Sequence, residues 1–208
     1  MDKIYDGKKL AYCFDLASSA CKEIESLAQL LNNTIIKSLE KNKVRNTSKF
    51  EVNDRSDDSG WIFTDLAQSI GILEPKKKKP SKYLGYQISL LGDGMIIAKE
   101  PLVHFFYWDT PVDFDSNYIG FPFEGDTEYK VERNHLIIWG NDKKYEWMFS
   151  VRLVTINDES DVKKIVQTVM ELLNNEKLSL PSDLPGLISY SLEGSELNVS
   201  TSSKISTL

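Results

Sequence analysis

The chain has 208 residues, a formal net charge of −6, and 41% hydrophobic and 27% charged residues. This length supplies one well-packed domain, and the composition is that of a globular protein and not of a disordered one. The acidic balance argues against a protein that coats duplex nucleic acid, because such a protein needs a broad cationic surface. We therefore expect a single globular domain over residues 1–192.

The expected location follows from what the sequence lacks. No run of about 18 apolar residues is present to span a bilayer. The first ten residues, MDKIYDGKKL, contain no apolar stretch of the signal-peptide type. We expect a cytoplasmic protein that does not associate with membranes, and the sequence leaves its oligomeric state open.

The cysteines and histidines predict neither a disulfide nor a zinc site. Cys13 and Cys21 lie in one helical pattern, about 12 Å apart along the axis, which is too far for a disulfide. We predict that both are reduced core residues. His104 and His135 are the two histidines of the chain, and there is no Cys-x-x-Cys motif, so a structural zinc site is not expected.

Two segments have the period of an amphipathic helix. Apolar residues recur every three or four positions over 10–39, and again over 160–174 after Asp158 or Ser160 as the N-cap. The stripe of the first helix consists of Phe14, Ala17, Cys21, Ile24, Leu27, Ala28, Leu31 and Ile35. A coiled-coil or dimer role is one interpretation, but the period stops after one helix, so packing against the domain's own sheet is favoured.

Strands are predicted by alternation with a period of two, or by short apolar runs between turn residues. They cover 61–64, 83–91, 102–108, 135–139 and 145–156. Residues 65–73 fit a short helix or a strand, and 178–192 could supply a terminal strand or clasp. The polar residues 41–60 are predicted to be a connection, and the serine-rich residues 193–208 a disordered tail.

These elements predict an α+β fold. We expect a mostly antiparallel sheet of about five to seven strands, with the two long helices packed on one face. The continuous apolar run 102–108 predicts a central strand covered on both faces. His104 lies inside this run, and we predict a hydrogen-bonded core residue there in preference to a catalytic one.

A lysine-rich loop offers one route to nucleic acid. Its members are Lys76, Lys77, Lys78 and Lys79, followed by Pro80. Four like charges and a proline do not fit a strand interior, so we predict a loop tip. Such lysines commonly promote solubility or protect strand edges, and contact with nucleic-acid phosphates is the alternative.

Residues 109–130, the acidic-aromatic segment, form the most unusual part of the sequence. Nine of the 22 aromatic residues lie between Phe105 and Tyr129. Eight carboxylates between Glu100 and Glu132 face one base, Lys130. A segment between two strands that is this long and this aromatic is more than a plain turn.

We predict that this segment makes the chain a non-catalytic interaction protein, of the inhibitor, immunity or adaptor kind, without a cofactor. Rigid aromatics lose little entropy as anchors, and carboxylates attract a basic protein or peptide. The candidate binding residues are Trp108, Asp109, Asp113, Phe114, Asp115, Tyr118 and Phe121. Alternatively, the rings pack inward and fasten the segment to the sheet while the carboxylates face water.

A second interpretation is catalytic. Magnesium and manganese prefer oxygen ligands from two or three acids, and here Asp113 or Asp115 is followed by Glu128, Tyr129 and Lys130. This order loosely resembles the PD-(D/E)xK nuclease pattern over fewer than twenty residues. The resemblance implies a nuclease that depends on Mg²⁺ or Mn²⁺. In it, Asp115 and Glu128 would hold the metal, and Lys130 would activate water or stabilise charge.

Overall fold

The computed structural model describes residues 6–95, 100–123, 129–140, 146–174, 180–193 and 196–200. Its helices and strands are α1 (Gly7–Lys41), β1 (Asn46–Ser56), β2 (Phe63–Ile72), β3 (Lys82–Ser89), β4 (Leu102–Trp108), β5 (Tyr129–Glu132), β6 (Leu136–Trp139), β7 (Glu146–Arg152), α2 (Glu159–Asn174), β8 (Ser189–Glu193) and β9 (Glu196–Ser200). Within these residues, one antiparallel sheet has the order β1-β2-β3-β4-β7-β6-β5, and β8 and β9 form a separate hairpin. The predicted α+β class is confirmed, with β4 in the middle of the sheet.

One face of the sheet packs against both helices. Alternate side chains of β4 and β7 point to this face, among them Phe105 and Phe149, whose ring centroids are 5.3 Å apart. Leu31 and Ile35 of α1 and Ile165 of α2 are buried in the same cluster. The alternation of β7 and the three-to-four-residue spacing of the helices therefore meet in one core, as the sequence predicts.

The other face is covered by the acidic-aromatic segment and the chain around β8. Phe106 of β4 and Met148 of β7 are buried there together with Val112, Ile119 and Ile188. Strand β4 is thus enclosed on both sides, which explains its continuous apolar sequence.

Residues 41–60 are not merely a polar connection, because they contain β1. This strand pairs with β2 along most of its length, with Val52 opposite Gln68. Strand β1 is at the edge of the sheet and half-buries Phe50, so it needs few apolar residues and its sequence resembles a loop. Residues 65–73, which fitted helix or strand, form most of β2.

The predicted tail also contains structure. Strand β9 pairs with β8, and Leu192 lies opposite Leu197. Residues 201–208 of the predicted tail lie outside the described residues.

The prediction that Cys13 and Cys21 are core residues is wrong, since both are exposed. Helix α1 extends beyond the sheet on its N-terminal side, and every residue over 7–23 is exposed. The periodic spacing indicates which side of a helix is apolar, but it does not indicate how far the packing partner extends.

His104 is buried and hydrogen-bonded, as predicted. Its Nε2 lies 2.8 Å from the carbonyl oxygen of Gly94, which can only accept, so Nε2 carries the proton. Its Nδ1 then accepts from Ser150 Oγ, 2.6 Å away, and Ser150 accepts from the hydroxyl of Tyr190. Burial outweighs the hydrogen bond to Gly94 and lowers the pKa of His104 to about 4.

This burial predicts a pH dependence of stability. As the pH falls below about 6.5, His104 takes up a proton in the unfolded chain but not in the native protein. The free energy of unfolding should therefore fall by about 1 to 2 kcal/mol between about pH 7 and about pH 5 through this residue. In urea titrations, His104→Gln should be less stable at neutral pH and show a smaller loss towards pH 5. An equal loss in wild type and variant would contradict this assignment.

Candidate functional site

The acidic-aromatic segment is fastened to the sheet by the buried side chain of Gln87 in β3. The Nε2 of Gln87 donates to the carbonyl oxygen of Ile119 at 2.7 Å, and its Oε1 accepts from the amide of Ile119 at 2.9 Å. The amide of Val112 donates to Ser69 Oγ at 3.2 Å. These bonds give a loop backbone the partners that a neighbouring strand would supply, so the segment can lie over the core.

Arg55 of β1 connects the sheet to the segment. Its guanidinium donates to Asp65 Oδ2 at 2.8 and 3.0 Å and to Asp93 Oδ1 at 2.6 Å. The same group lies over the rings of Phe114 and Tyr118, with its carbon 5.2 and 4.6 Å from their centroids. Tyr118 donates its hydroxyl to Asp93 Oδ2 at 2.8 Å. One cation thus holds two acids and two rings in place.

These contacts keep Arg55 and Asp93 ionised at neutral pH. Burial disfavours the charge on Arg55, but its hydrogen bonds to Asp93 and Asp65 outweigh this effect and raise its pKa. Burial likewise opposes the charge on Asp93, but hydrogen bonds from Arg55 and Tyr118 lower its pKa below the usual value. The hydrogen bond to Asp93 raises the pKa of Tyr118. Neutral pH therefore leaves Arg55 positive and Asp93 negative.

The carboxylates proposed from sequence fall into different settings. Asp113 closes a turn, because its Oδ1 accepts from the amide of Asp115 at 3.0 Å and its Oδ2 accepts from Ser116 Oγ at 2.9 Å. Asp115 is exposed at this turn and follows Phe114, whose ring lies beneath the Arg55 guanidinium. Asp109 is also exposed, but it follows the end of β4 that pairs with Tyr83, at the opposite end of the sheet.

The aromatic rings proposed from sequence point largely towards the sheet. Trp108 is 8% exposed and stacks on Phe106 at a centroid distance of 4.2 Å. Phe114, Tyr118 and Phe121 are half-buried against the second cluster. The inward-packing alternative therefore describes most of their surface, and their role in binding stays a prediction.

A cleft of about 240 Å³ lies beside these rings. Its lining consists of Asp93, Ser116, Asn117, Tyr118, Gly120, Phe121 and Pro122. The cleft presents the carboxylate of Asp93 and the rings of Tyr118 and Phe121 to a visiting side chain, and Asp93 and Tyr118 are also members of the Arg55 network.

An exposed apolar hairpin tip was not singled out from sequence. Residues 57–63, the tip, comprise the turn between β1 and β2 and the first residue of β2, and Trp61, Ile62 and Phe63 are 81%, 55% and 49% exposed. Asp57 Oδ1 accepts from the amides of Trp61 and Ile62 at 3.0 Å each, which fixes the shape of the turn. The turn signal at 58–60, followed directly by three large apolar residues, could have indicated an exposed tip. Large apolar residues seldom occur at the very start of a hairpin strand, where the partner strand does not yet cover them.

The tip and the Arg55 network lie at the same end of the sheet. Ser56 pairs with Phe63 and Arg55 with Asp65, so the guanidinium is adjacent to the base of the tip. The lysine loop at 76–79 joins β2 to β3 at the opposite end. Sequence reasoning missed Arg55, Asp65 and Asp93 because they are brought together from distant positions in the chain.

The residues of the nuclease interpretation are not brought together in the described part of the chain. Asp115 and Lys130 are both exposed, and Glu128 lies outside the described residues. Among the residues that the structure describes, no group of three or more His, Cys, Asp or Glu side chains is placed to hold a metal ion. The nuclease set stays a prediction.

No family model, no curated protein and no solved structure matches this chain. Neither α1 nor α2, the helices in the described ranges, is both long and apolar enough to cross a bilayer.

Removing the guanidinium should destabilise the fold. In Arg55→Met the fully buried carboxylate of Asp65 would lose its cation, and such losses cost roughly 3 kcal/mol or more. Adding Asp65→Asn should recover part of the lost free energy of unfolding, because the unpaired buried carboxylate is then absent. Urea denaturation measures both variants.

Lys49→Met is the matched control, since Lys49 is an exposed cation on the same strand. Its free energy of unfolding should stay within about 0.5 kcal/mol of wild type. A loss in Arg55→Met no larger than in this control would show that the network does not hold the segment.

Proposed function

We propose that this chain is a non-catalytic cytoplasmic interaction protein that binds a basic protein or peptide at one end of its sheet. The supporting observation is the exposed tip, which stands beside carboxylates on a scaffold fixed by Arg55. The proposal keeps the acidic-aromatic segment as part of the binding surface and adds the tip to it.

The tip would supply the apolar anchor. Trp61 and Ile62 expose large side chains side by side in sequence, and contiguous apolar surface of this kind commonly marks an interaction site. Tryptophan is among the residues that contribute most to binding when buried at an interface. Because Asp57 already holds the turn in one shape, binding would cost little additional ordering of the backbone.

Carboxylates around the tip would select a basic partner. Asp54 and Asp58 lie in the hairpin, Asp115 lies at the turn over Arg55, and all three are exposed. Within the described ranges none of the three has an ion-pair partner. Such charges raise the encounter rate with a cationic surface and disfavour acidic partners. The cleft beside Asp93 adds a position for one cationic side chain.

A peptide selection tests the proposal. Immobilised protein is used to select from a random-peptide display library, and the enriched peptides are measured by fluorescence anisotropy. We expect sequences that combine Lys or Arg with an apolar residue. Trp61→Ala should weaken their binding by about tenfold or more, because it removes the anchor. Asp58→Lys with Asp115→Lys should weaken it as well and reduce its dependence on salt.

The matched control is Glu40→Lys with Glu171→Lys, which makes the same change in net charge at exposed positions near the C-terminal ends of α1 and α2. Peptide binding by this control should follow wild type apart from a small general charge effect. Enrichment of peptides without basic residues, or equal binding by all variants, would contradict the proposal. Thermal melting of each variant confirms that the fold is retained.

A further inference from the structure

The N-terminal half of α1 projects beyond the sheet and buries no residue against the rest of the described chain. Residues 7–23, the overhang, are exposed throughout and extend by about 26 Å at 1.5 Å per residue. Leu10 and Phe14 are 46% and 60% exposed. Packing begins at Ile24, which is half-buried, and Ala28 is the first buried residue of the helix.

A helix of this length gains little stability from itself. Isolated helices of about 15 residues are marginal in water even with favourable sequences, because most helical stability in proteins comes from packing of the apolar face. The overhang has one N-cap contact, from the amide of Lys8 to Asp6 Oδ1 at 3.1 Å. An apolar stripe along such a helix is therefore expected to be covered.

The exposed stripe continues a stripe that is already an interface. Its spacing alternates between four and three residues without a break, as in the a and d positions of a coiled coil. The stripe consists of Leu10, Phe14, Ala17, Cys21, Ile24, Ala28, Leu31 and Ile35. The second half is buried against the sheet, with Leu31 and Ile35 both 0% exposed. The overhang repeats the same pattern where the sheet has ended.

The flanks of the stripe permit another helix to approach closely. The residues beside it within the overhang are Ala11, Cys13, Ser18 and Ala20, which are small and uncharged. The charged residues of the overhang lie farther round the helix. A helix presenting a stripe of the same kind would meet no charge on this face.

A second copy in antiparallel orientation fits this surface. One register sets Phe14 opposite Ala17 of the partner, and the same register sets Leu10 opposite Cys21 and Ile24 opposite Gly7. Each large residue then faces a smaller one, so the helices can interdigitate. A parallel pair in register would instead place Phe14 against Phe14 and Ala17 against Ala17, with one level crowded and the next one empty.

We propose that the overhangs of two chains pair as an antiparallel two-helix coiled coil and make the protein a two-fold symmetric homodimer. The interface is isologous, so each contact occurs twice. It is independent of the peptide-binding surface proposed above.

Analytical ultracentrifugation of the full chain tests the assembly. Wild type should sediment as a dimer, and Phe14→Glu should raise the dissociation constant at least tenfold, because two charges would be buried in the pair. Tyr12→Glu is the matched control, since Tyr12 is 63% exposed on the opposite side of the overhang. This variant should remain dimeric. A monomeric wild type, or a Phe14→Glu variant as dimeric as the control, overturns the proposal.

Thiol cross-linking tests the orientation. In Cys13→Ser, the remaining Cys21 should not link two chains under mild oxidation, because the antiparallel register separates the two copies of Cys21. Adding Leu10→Cys should produce a covalent dimer, since the new thiol at position 10 would lie opposite Cys21 of the other chain. Leu10→Cys in a background without either native cysteine should not produce a covalent dimer. Covalent dimers from Cys21 alone, or from position 10 alone, indicate a parallel pair and overturn the proposed register.

Discussion

Strand β4 imposes the constraint on which the rest of the structure depends. Its side chains are apolar on both faces, so the sheet needs two covers. Helices provide the first cover with their own backbone hydrogen bonds satisfied. The second cover is a loop segment, whose amides and carbonyls need partners from elsewhere. Gln87, Ser69 and the carbonyl oxygen of Asp93, which accepts from the amide of Phe121 at 2.9 Å, provide them.

The same constraint accounts for the charge beneath the segment. Asp65 is fully buried near the start of β2, and a buried carboxylate needs a cation. Arg55 of the neighbouring strand is this cation. Its guanidinium also pairs with Asp93 and lies over the rings of Phe114 and Tyr118. The half-buried aromatics are therefore part of the architecture. Among the described residues of the segment, Asp109 and Asp115 are exposed carboxylates, whereas every ring is at least half-buried. The tip, with its exposed large side chains, is therefore the stronger apolar anchor.

Local periodicity predicted much of this arrangement from sequence. The alternation in β7, the apolar run of β4 and the stripe of α2 each reflect a local pattern, and the apolar run and the stripe were found where they were expected. The strand predicted over 145–156 was too long, since β7 ends at Arg152 and residues 153–155 form a 3₁₀ helix. Strand β1 escaped prediction because an edge strand buries little. Arg55 escaped because its partners depend on strand pairing, with Asp93 lying 38 residues away. The exposure of Cys13 depends on where the sheet ends, which the helix sequence does not encode.

The two proposed surfaces have a geometric relationship. Helix α1 ends beside the start of β1, so the overhang projects past the end of the sheet that bears the tip. A dimer formed through the overhangs would present two tips. A partner with two basic sites within reach of both tips would gain avidity without any new contact.

The hydrogen-bonded chain from Tyr190 through Ser150 and His104 to Gly94 links elements that are far apart along the polypeptide. Tyr190 leaves the ribosome after the other three members of this hydrogen-bonded chain. Until it arrives, Ser150 lacks its donor and Ile188 is missing from the second core. Neither face of the sheet is complete until residues 184–190 arrive, because Leu184 and Leu187 belong to the core on the helical face and Ile188 and Tyr190 to the second core. An early stop before β8 would leave the second core without Tyr190 and part of its apolar surface uncovered, which favours aggregation.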